Sequence, residues 1–125
     1  MRPIYNDNNI FAKILRGDIP ATFIAENDHA AAFADIAPQA KIHILIIPKQ
    51  AYCDSFDFYQ NASSVEIVEF HGLINQLVEQ NALNLPNGTG FRLISNSGRD
   101  AGQEVPHYHV HLLAGESLGG LLAKP

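Results

Sequence analysis

His107-Tyr108-His109-Val110-His111-Leu112-Leu113 puts a histidine at every second position of one short run, which holds half of the chain's six histidines. Successive side chains of extended chain point to opposite faces, so the three imidazoles share one face while Tyr108, Val110 and Leu112 share the other. The run reads as a strand whose apolar side anchors in a core and whose polar side is held still for chemistry. Residues two apart on a strand rise about 6.6 Å, so His109 stands between two imidazoles and touches neither unless the chain bends. That spacing suits a reactive centre with a helper on each side.

Immediately upstream, Asn96-Ser97-Gly98-Arg99-Asp100-Ala101-Gly102-Gln103-Glu104-Val105-Pro106 is a polar loop with two glycines. Alone, such a loop is an ordinary turn. Beside three histidines, its small residues let backbone N–H groups converge on an anion, and it reads as a phosphate seat. Phe91 to Ser95 alternates as a fourth strand, and the histidine run is the fifth. Pro86, Asn87, Gly88 and Gly90 make the stretch from Asn84 to Gly90 a loop.

Further upstream, Ser63 and Glu66 form a capping box ahead of Ile67, Phe70, His71, Ile74, Leu77 and Val78 at helical spacing, which predicts a long helix from Ser63 to about Ala82. Gln50 to Asn61 has no clear period and reads as loop with at most a helical turn. Ile42-His43-Ile44-Leu45-Ile46-Ile47, ended by Pro48, is the β-branched, apolar pattern of a central strand buried on both faces. Thr22 to Glu26 and His29 to Asp35 flank Asn27-Asp28, a hairpin-turn pair. At the amino end, Asp7 or Asn8 caps a short helix with a stripe of Ile10, Phe11, Ile14 and Leu15, and Gly17 stops it. Strands joined mostly by hairpins predict an α+β fold: a five-stranded antiparallel sheet with one short N-terminal helix and one long crossover helix.

At 125 residues and 46% hydrophobic, the chain has core material for a single domain spanning residues 1–125. A net charge of -5 without a Lys/Arg cluster argues against a nucleic-acid partner. The amino terminus lacks the apolar region of a signal peptide, and no stretch approaches the roughly 18 apolar residues of a membrane span. The expectation is a cytoplasmic protein with no membrane partner. Cys53 is alone, which leaves no intrachain disulfide and no cysteine-based zinc site.

The histidine run resembles the His-φ-His-φ-His-φ-φ signature, φ being apolar, of the histidine triad superfamily of nucleotide hydrolases and transferases. Ile10-Phe11-Ala12-Lys13-Ile14 with Ile19-Pro20, Asp35-Ile36-Ala37-Pro38-Gln39-Ala40, His43 with Ile46-Ile47-Pro48, and Gly102-Gln103-Glu104-Val105 are similar to its Hint branch, the purine nucleoside phosphoramidases. That resemblance implies His109 as nucleophile toward the α-phosphorus of a nucleoside 5′-phosphoramidate, giving a covalent nucleotidyl-histidine that water hydrolyses. It implies that the backbone near His107 selects the tautomer of His109, that His111 contacts the phosphate, and that His43 is hydrogen-bonded to His107. Asp35, with Ile36 beside it, would accept from the ribose hydroxyls, and Phe11, Ile14, Ile19 and Phe33 would form an apolar slot for the base. Asn96, the Gly102-Gln103 backbone, Glu104 and Val105 would complete the nucleotide site. The resemblance further implies a purine nucleotide substrate, a homodimer, and no required cofactor or metal. His29 is expected at the surface and His71 in helix packing.

Three positions depart from the branch. Glu104 stands where animal members have a Ser, although Gln-Glu-Val is familiar from bacterial relatives and suggests a bacterial member. Pro106 replaces an aromatic residue, and Ala114-Gly115 replaces Gly-Gly before a tail, Glu116 to Pro125, that is only partly similar. Competing readings are a dinucleoside polyphosphate hydrolase of the same superfamily, a nucleotide-sensing module, and a zinc-binding protein, since alternating strand histidines are a frequent zinc arrangement. The zinc reading is weakened by the missing cysteines and by the lack of an acidic set near the histidines in the chain.

Overall fold

A computed structural model describes residues 2–123 of the chain. The elements are α1 (Ile10–Arg16), β1 (Ala25–Glu26), β2 (Ala30–Ala34), β3 (Ile42–Pro48), α2 (Ser55–Asn61), α3 (Ser64–Gln80), β4 (Arg92–Ile94) and β5 (Val110–Ala114). The strands form one antiparallel sheet in the order β1-β2-β3-β5-β4, with β3 at its centre. This is the expected α+β sheet, and the chain crosses from β3 through α2 and α3 to the far edge before β5 returns to pair with β3.

Alternation along the strands divides the core into two layers. Ala30, Ala32, Ile44, Ile46, Val110 and Leu112 face α3 and pack on Phe70, Leu73, Ile74 and Leu77. Ala31, Phe33, Leu45 and Ile47 face the other way, under Phe11 of α1. The register aligns like with like: Ile44 opposes Leu112 and Ile46 opposes Val110 in the α3 layer, while Leu45 opposes His111 on the opposite face. β2 is alanine-rich, and alanine has little intrinsic preference for strands; pairing on both edges and burial on both faces hold it extended.

The structure differs from the sequence reading at several local points. The N-cap of α1 is Asn9, one position later than expected, whose side chain accepts from the Ala12 N–H. Thr22 to Ile24 lies outside β1, and β2 and β4 are each shorter by one residue at each end. The Gln50 to Asn61 stretch contains α2, capped by Asp54 on the Asp57 N–H. Its signal was faint because one residue, Phe58, anchors it: that ring is fully buried, stacked on Tyr108 at 4.9 Å and set against Phe70 and Tyr52 at 5.1 and 5.2 Å. A single aromatic anchor stabilises a short helix without creating a periodic stripe.

The histidine strand begins later than expected, at Val110. Continuing the β3–β5 register beyond Ile46–Val110 would set Tyr108 opposite Pro48, which has no N–H to offer. The Tyr108 N–H donates instead to the Tyr52 carbonyl at 2.7 Å. His107 to His109 thus form a lead-in that leaves the ladder and docks on the segment after β3. Outside the active face, His29 is half-buried with its ring 3.9 Å from Glu69, and His71 is exposed, hydrogen-bonded to Tyr59 at 2.9 Å.

Beneath this segment Asp57 is 1% exposed. Its carboxylate accepts from Arg2 Nε at 2.8 Å, the Cys53 N–H at 2.8 Å and Asn61 Nδ2 at 2.7 Å. Burial pushes its pKa up, but the donors outweigh burial and hold it below the ordinary value of 3.8. A folded pKa below the unfolded one stabilises fully above about pH 4 and is lost as pH falls through the folded value. Asp57→Asn is expected to lower stability near pH 7 by about 1–3 kcal/mol. Urea unfolding should find that deficit shrinking toward about pH 3; a deficit independent of pH would show that the ionised carboxylate contributes nothing.

Candidate active site

The open face of the sheet holds a cleft of about 300 Å³. β3 supplies His43 to its floor, β5 supplies His111, and the lead-in supplies His109. Asp35 enters from the connection after β2, Phe11 from α1, and Asn96, Gly102, Glu104 and Val105 from the loop before the histidines. Gln103 braces that loop with its side chain: Oε1 accepts from the Gly98 N–H at 2.9 Å, and Nε2 donates to the carbonyls of Cys53 at 2.8 Å and Val105 at 3.0 Å.

The three histidines have unequal surroundings. His109 Nδ1 lies 2.7 Å from the carbonyl of His107. A carbonyl only accepts, so Nδ1 carries the proton and Nε2 presents its lone pair to the cleft. Phe11 stands edge-on against this ring at 5.0 Å, and His111 does the same at 5.0 Å from the other side. The lead-in's bend therefore brings His109 and His111 into contact, which regular strand spacing does not.

A second chain of bonds sets His111. The Gln39 N–H donates to His43 Nδ1 at 3.0 Å, so the proton of neutral His43 is on Nε2, from which it reaches His111 Nδ1 at 2.9 Å. His111 is then protonated at Nε2 and offers a donor to whatever occupies the cleft. Asp35 Oδ2 lies 3.5 Å from His43 Nε2, and its Oδ1 accepts from the Ala37 N–H at 2.8 Å.

The bonding corrects two details that the family resemblance implied. His43 is bonded to His111, the third histidine of the run, because both side chains project from the same face of adjacent strands; His107 bonds elsewhere, to the Pro48 carbonyl and the Tyr5 hydroxyl. The N–H groups of Gly102 and Gln103 are not free for a phosphate, since they close the loop on the carbonyls of Arg99 and Gly98 at 3.0 and 3.1 Å. Among the described residues, those of Glu104 and Val105 have no acceptor. The expected apolar slot is spread out: Phe11 reaches the cleft, Phe33 is buried beneath it, Ile14 packs on the same layer and Ile19 is half-buried, while Ile36, expected beside Asp35 at the ribose, is 96% exposed. Asn96 lines the cleft, and His107 is buried behind it. Sequence reading missed Tyr5 and the Gln39 N–H; both act from far along the chain or through backbone, where side-chain patterns carry no signal.

Burial dominates the electrostatics. It lowers the pKa of His107 to about 4, against the pull of the Pro48 carbonyl. It lowers His111 to about 4 as well, with His109 and His43 adding to the effect. It also lowers His109, opposed by the His107 carbonyl and the carboxylates of Asp35 and Glu104. At neutral pH these three imidazoles are therefore neutral, one as a lone-pair donor and one as an N–H donor toward the cleft. Among the described residues, Asp35, His43 and His111 bring potential metal-ligating atoms within 4.8 Å of one another. An ion there would have to break the His43–His111 bond, whose nitrogens face each other.

Comparison with known proteins agrees with this geometry. The family model described as the HIT domain matches residues 16–118. An uncharacterized HIT-like protein of Azospirillum brasilense is 45% identical over 124 residues, 99% of each chain. A purine nucleoside phosphoramidase of Escherichia coli strain K12 is 38% identical over 120 residues, covering 94% of this chain and 95% of that protein. Among solved structures, a histidine triad protein from Clostridium difficile superposes with a TM-score of 0.80 at 38% identity, covering 95% of this chain and 100% of that one.

A lowered pKa keeps His109 neutral, with its Nε2 lone pair available, to lower pH. The acid limb of kcat/KM for turnover at this cleft is expected below the ordinary imidazole value of 6.5. An acid limb at or above that value would show that His109 is not held neutral by its surroundings.

Proposed function

The chain belongs to the HIT domain family, and from that premise we propose that it hydrolyses nucleoside 5′-phosphoramidates of the adenosine 5′-monophosphoramidate type. The observation that carries the reading is His109, with Nδ1 bonded to a carbonyl and Nε2 open to the cleft. In the first step Nε2 forms a bond to the α-phosphorus, the phosphorus–nitrogen bond breaks with its electron pair going to nitrogen, and the amine departs after taking a proton from solvent, to which the attacking water of the second step returns one. Water then attacks the phosphorus, the bond to His109 breaks, and a nucleoside 5′-monophosphate leaves with the free imidazole restored. The His111 Nε2–H and the amides of Glu104 and Val105 stabilise the developing charge on the phosphoryl oxygens. Asp35 accepts from the ribose hydroxyls. This chemistry calls for no metal or cofactor.

The charge of the cleft favours this reading over a dinucleoside polyphosphate hydrolase. Asp35 and Glu104 line the cleft, and no Lys or Arg does so among the described residues. Like charges in a partly desolvated site repel, so a substrate with several phosphate charges is penalised relative to a phosphoramidate with an amine leaving group. The exposed edge strand β4, with Leu93 45% exposed, supports our reading of a homodimer. No helix among the described residues is long and apolar enough to cross a membrane, which fits the cytoplasmic placement we propose.

The test is to quench turnover of an adenosine phosphoramidate and locate the nucleotidyl adduct by mass spectrometry. The adduct is expected on His109, and His109→Ala should lower kcat by at least about 1000-fold. Normal turnover by that variant, or an adduct on another residue, would overturn the mechanism. Glu104→Gln is expected to raise the rate on a dinucleoside polyphosphate relative to the phosphoramidate by about 3- to 10-fold; an unchanged ratio would remove Glu104 from substrate selection.

A further inference from the structure

His107 is the member of the histidine run that does not reach the cleft, yet both of its ring nitrogens are bonded. Nε2 lies 2.9 Å from the Pro48 carbonyl and Nδ1 lies 2.6 Å from the Tyr5 hydroxyl. The carbonyl can only accept, so the His107 proton is on Nε2 and Nδ1 must accept the Tyr5 O–H. Asn9 completes the order: its Nδ2 donates to the Tyr5 oxygen at 2.9 Å and to the Asn6 carbonyl at 2.8 Å, while its Oδ1 caps α1 by accepting from the Ala12 N–H at 2.9 Å. Every proton in the series has one allowed position. It runs from the Asn9 amide to Tyr5, from Tyr5 to His107, and from His107 to Pro48.

We propose that Tyr5 and Asn9 are positioning residues for the nucleophile, holding the His107 ring at both nitrogens so that the His107 carbonyl stays aimed at His109 Nδ1–H. If the His107 ring turned or took its other tautomer, the Pro48 carbonyl would lose its donor in a buried place. The backbone of His107 would then be free to shift, and with it the bond that fixes which nitrogen of His109 attacks. Asn9 ties this to α1, which carries Phe11 against both rings, at 6.2 Å from His107 and 5.0 Å from His109. The N-terminal segment therefore orients the nucleophile without touching the substrate. Burial raises the pKa of Tyr5, so its hydroxyl stays a donor across the working range.

Two substitutions separate this role from simple anchoring of the terminus. Tyr5→Phe keeps the ring, which stands edge-on to His107 at 5.7 Å, and removes the O–H. Asn9→Asp keeps the acceptor that caps α1 but replaces the amide donor with a second acceptor, which draws the Tyr5 proton away from His107. With nitrogen-15 labelled histidine, NMR of the wild type is expected to show His107 wholly as the Nε2–H form with a hydrogen-bonded Nδ1; Tyr5→Phe should move the Nδ1 resonance toward that of an unbonded imidazole nitrogen, and Asn9→Asp should add the Nδ1–H tautomer. Both should lower kcat for the adenosine phosphoramidate by about 5- to 20-fold with KM within about twofold. If Tyr5→Phe fails to fold, Asn9→Asp carries the same expectation. An unchanged His107 nitrogen spectrum in the folded variants, or an unchanged kcat, overturns the proposal. The kcat arm rests on the proposed phosphoramidase reading; a wild-type protein without that turnover overturns that reading, and the NMR arm then decides the Tyr5 assignment by itself.

Discussion

A proline at the end of the central strand sets the geometry of this molecule. Pro48 has no N–H, so the ladder between β3 and β5 stops at Val110, and the chain before it is released from strand geometry. The released segment docks through the Tyr108 N–H on the Tyr52 carbonyl, and Pro48 returns its own carbonyl to the His107 ring. One missing donor thereby bends the histidine run, brings His109 against His111, and supplies the acceptor on which the His107 tautomer depends.

The two-layer core does the rest. On the α3 side, Ile44, Ile46, Val110 and Leu112 hold β3 and β5 in register. On the other side, Phe33, Leu45 and Phe11 exclude water from below and beside the imidazoles. Desolvation makes a charged imidazole costly, so the histidines at the cleft stay neutral, one with a free lone pair and one with an N–H. The backbone then decides which nitrogen does which task. The His107 carbonyl accepts from His109 and so holds its proton on Nδ1, and the Gln39 N–H, working through His43, leaves the His111 proton on Nε2. Two identical side chains two residues apart thus present a lone pair and an N–H to the same cleft.

Parts of this design were legible in the residues. The β-branched run of β3 and the Ser63–Glu66 capping box of α3 each use a local rule that tertiary packing reinforces, and both elements lie where their patterns predict, whereas the alternation around His109 becomes strand only from Val110. α2 was illegible because its anchors, the Phe58 ring and the Asp57 carboxylate, are met largely by residues outside the helix and leave no periodic stripe. The partner of His43 was illegible for a related reason: choosing between His107 and His111 requires the register between β3 and β5, which no run of residues states. The loop's glycines suggested an anion seat, yet the structure uses the Gly102 N–H to close the loop and leaves the amides of Glu104 and Val105 open.

By itself the sequence determined which face of each strand carries histidine and which carries hydrocarbon, because side-chain alternation is a local property of extended chain. It also determined where β3 ends, because proline cannot donate. Only the tertiary structure decided what each imidazole does. Tautomer depends on which carbonyl, amide or hydroxyl lies within about 3 Å, and pKa on how deeply packing buries the ring; the partners of His107, Tyr5 and Pro48, are 102 and 59 residues away, and the Gln39 N–H acts on His111 through His43 on the adjacent strand.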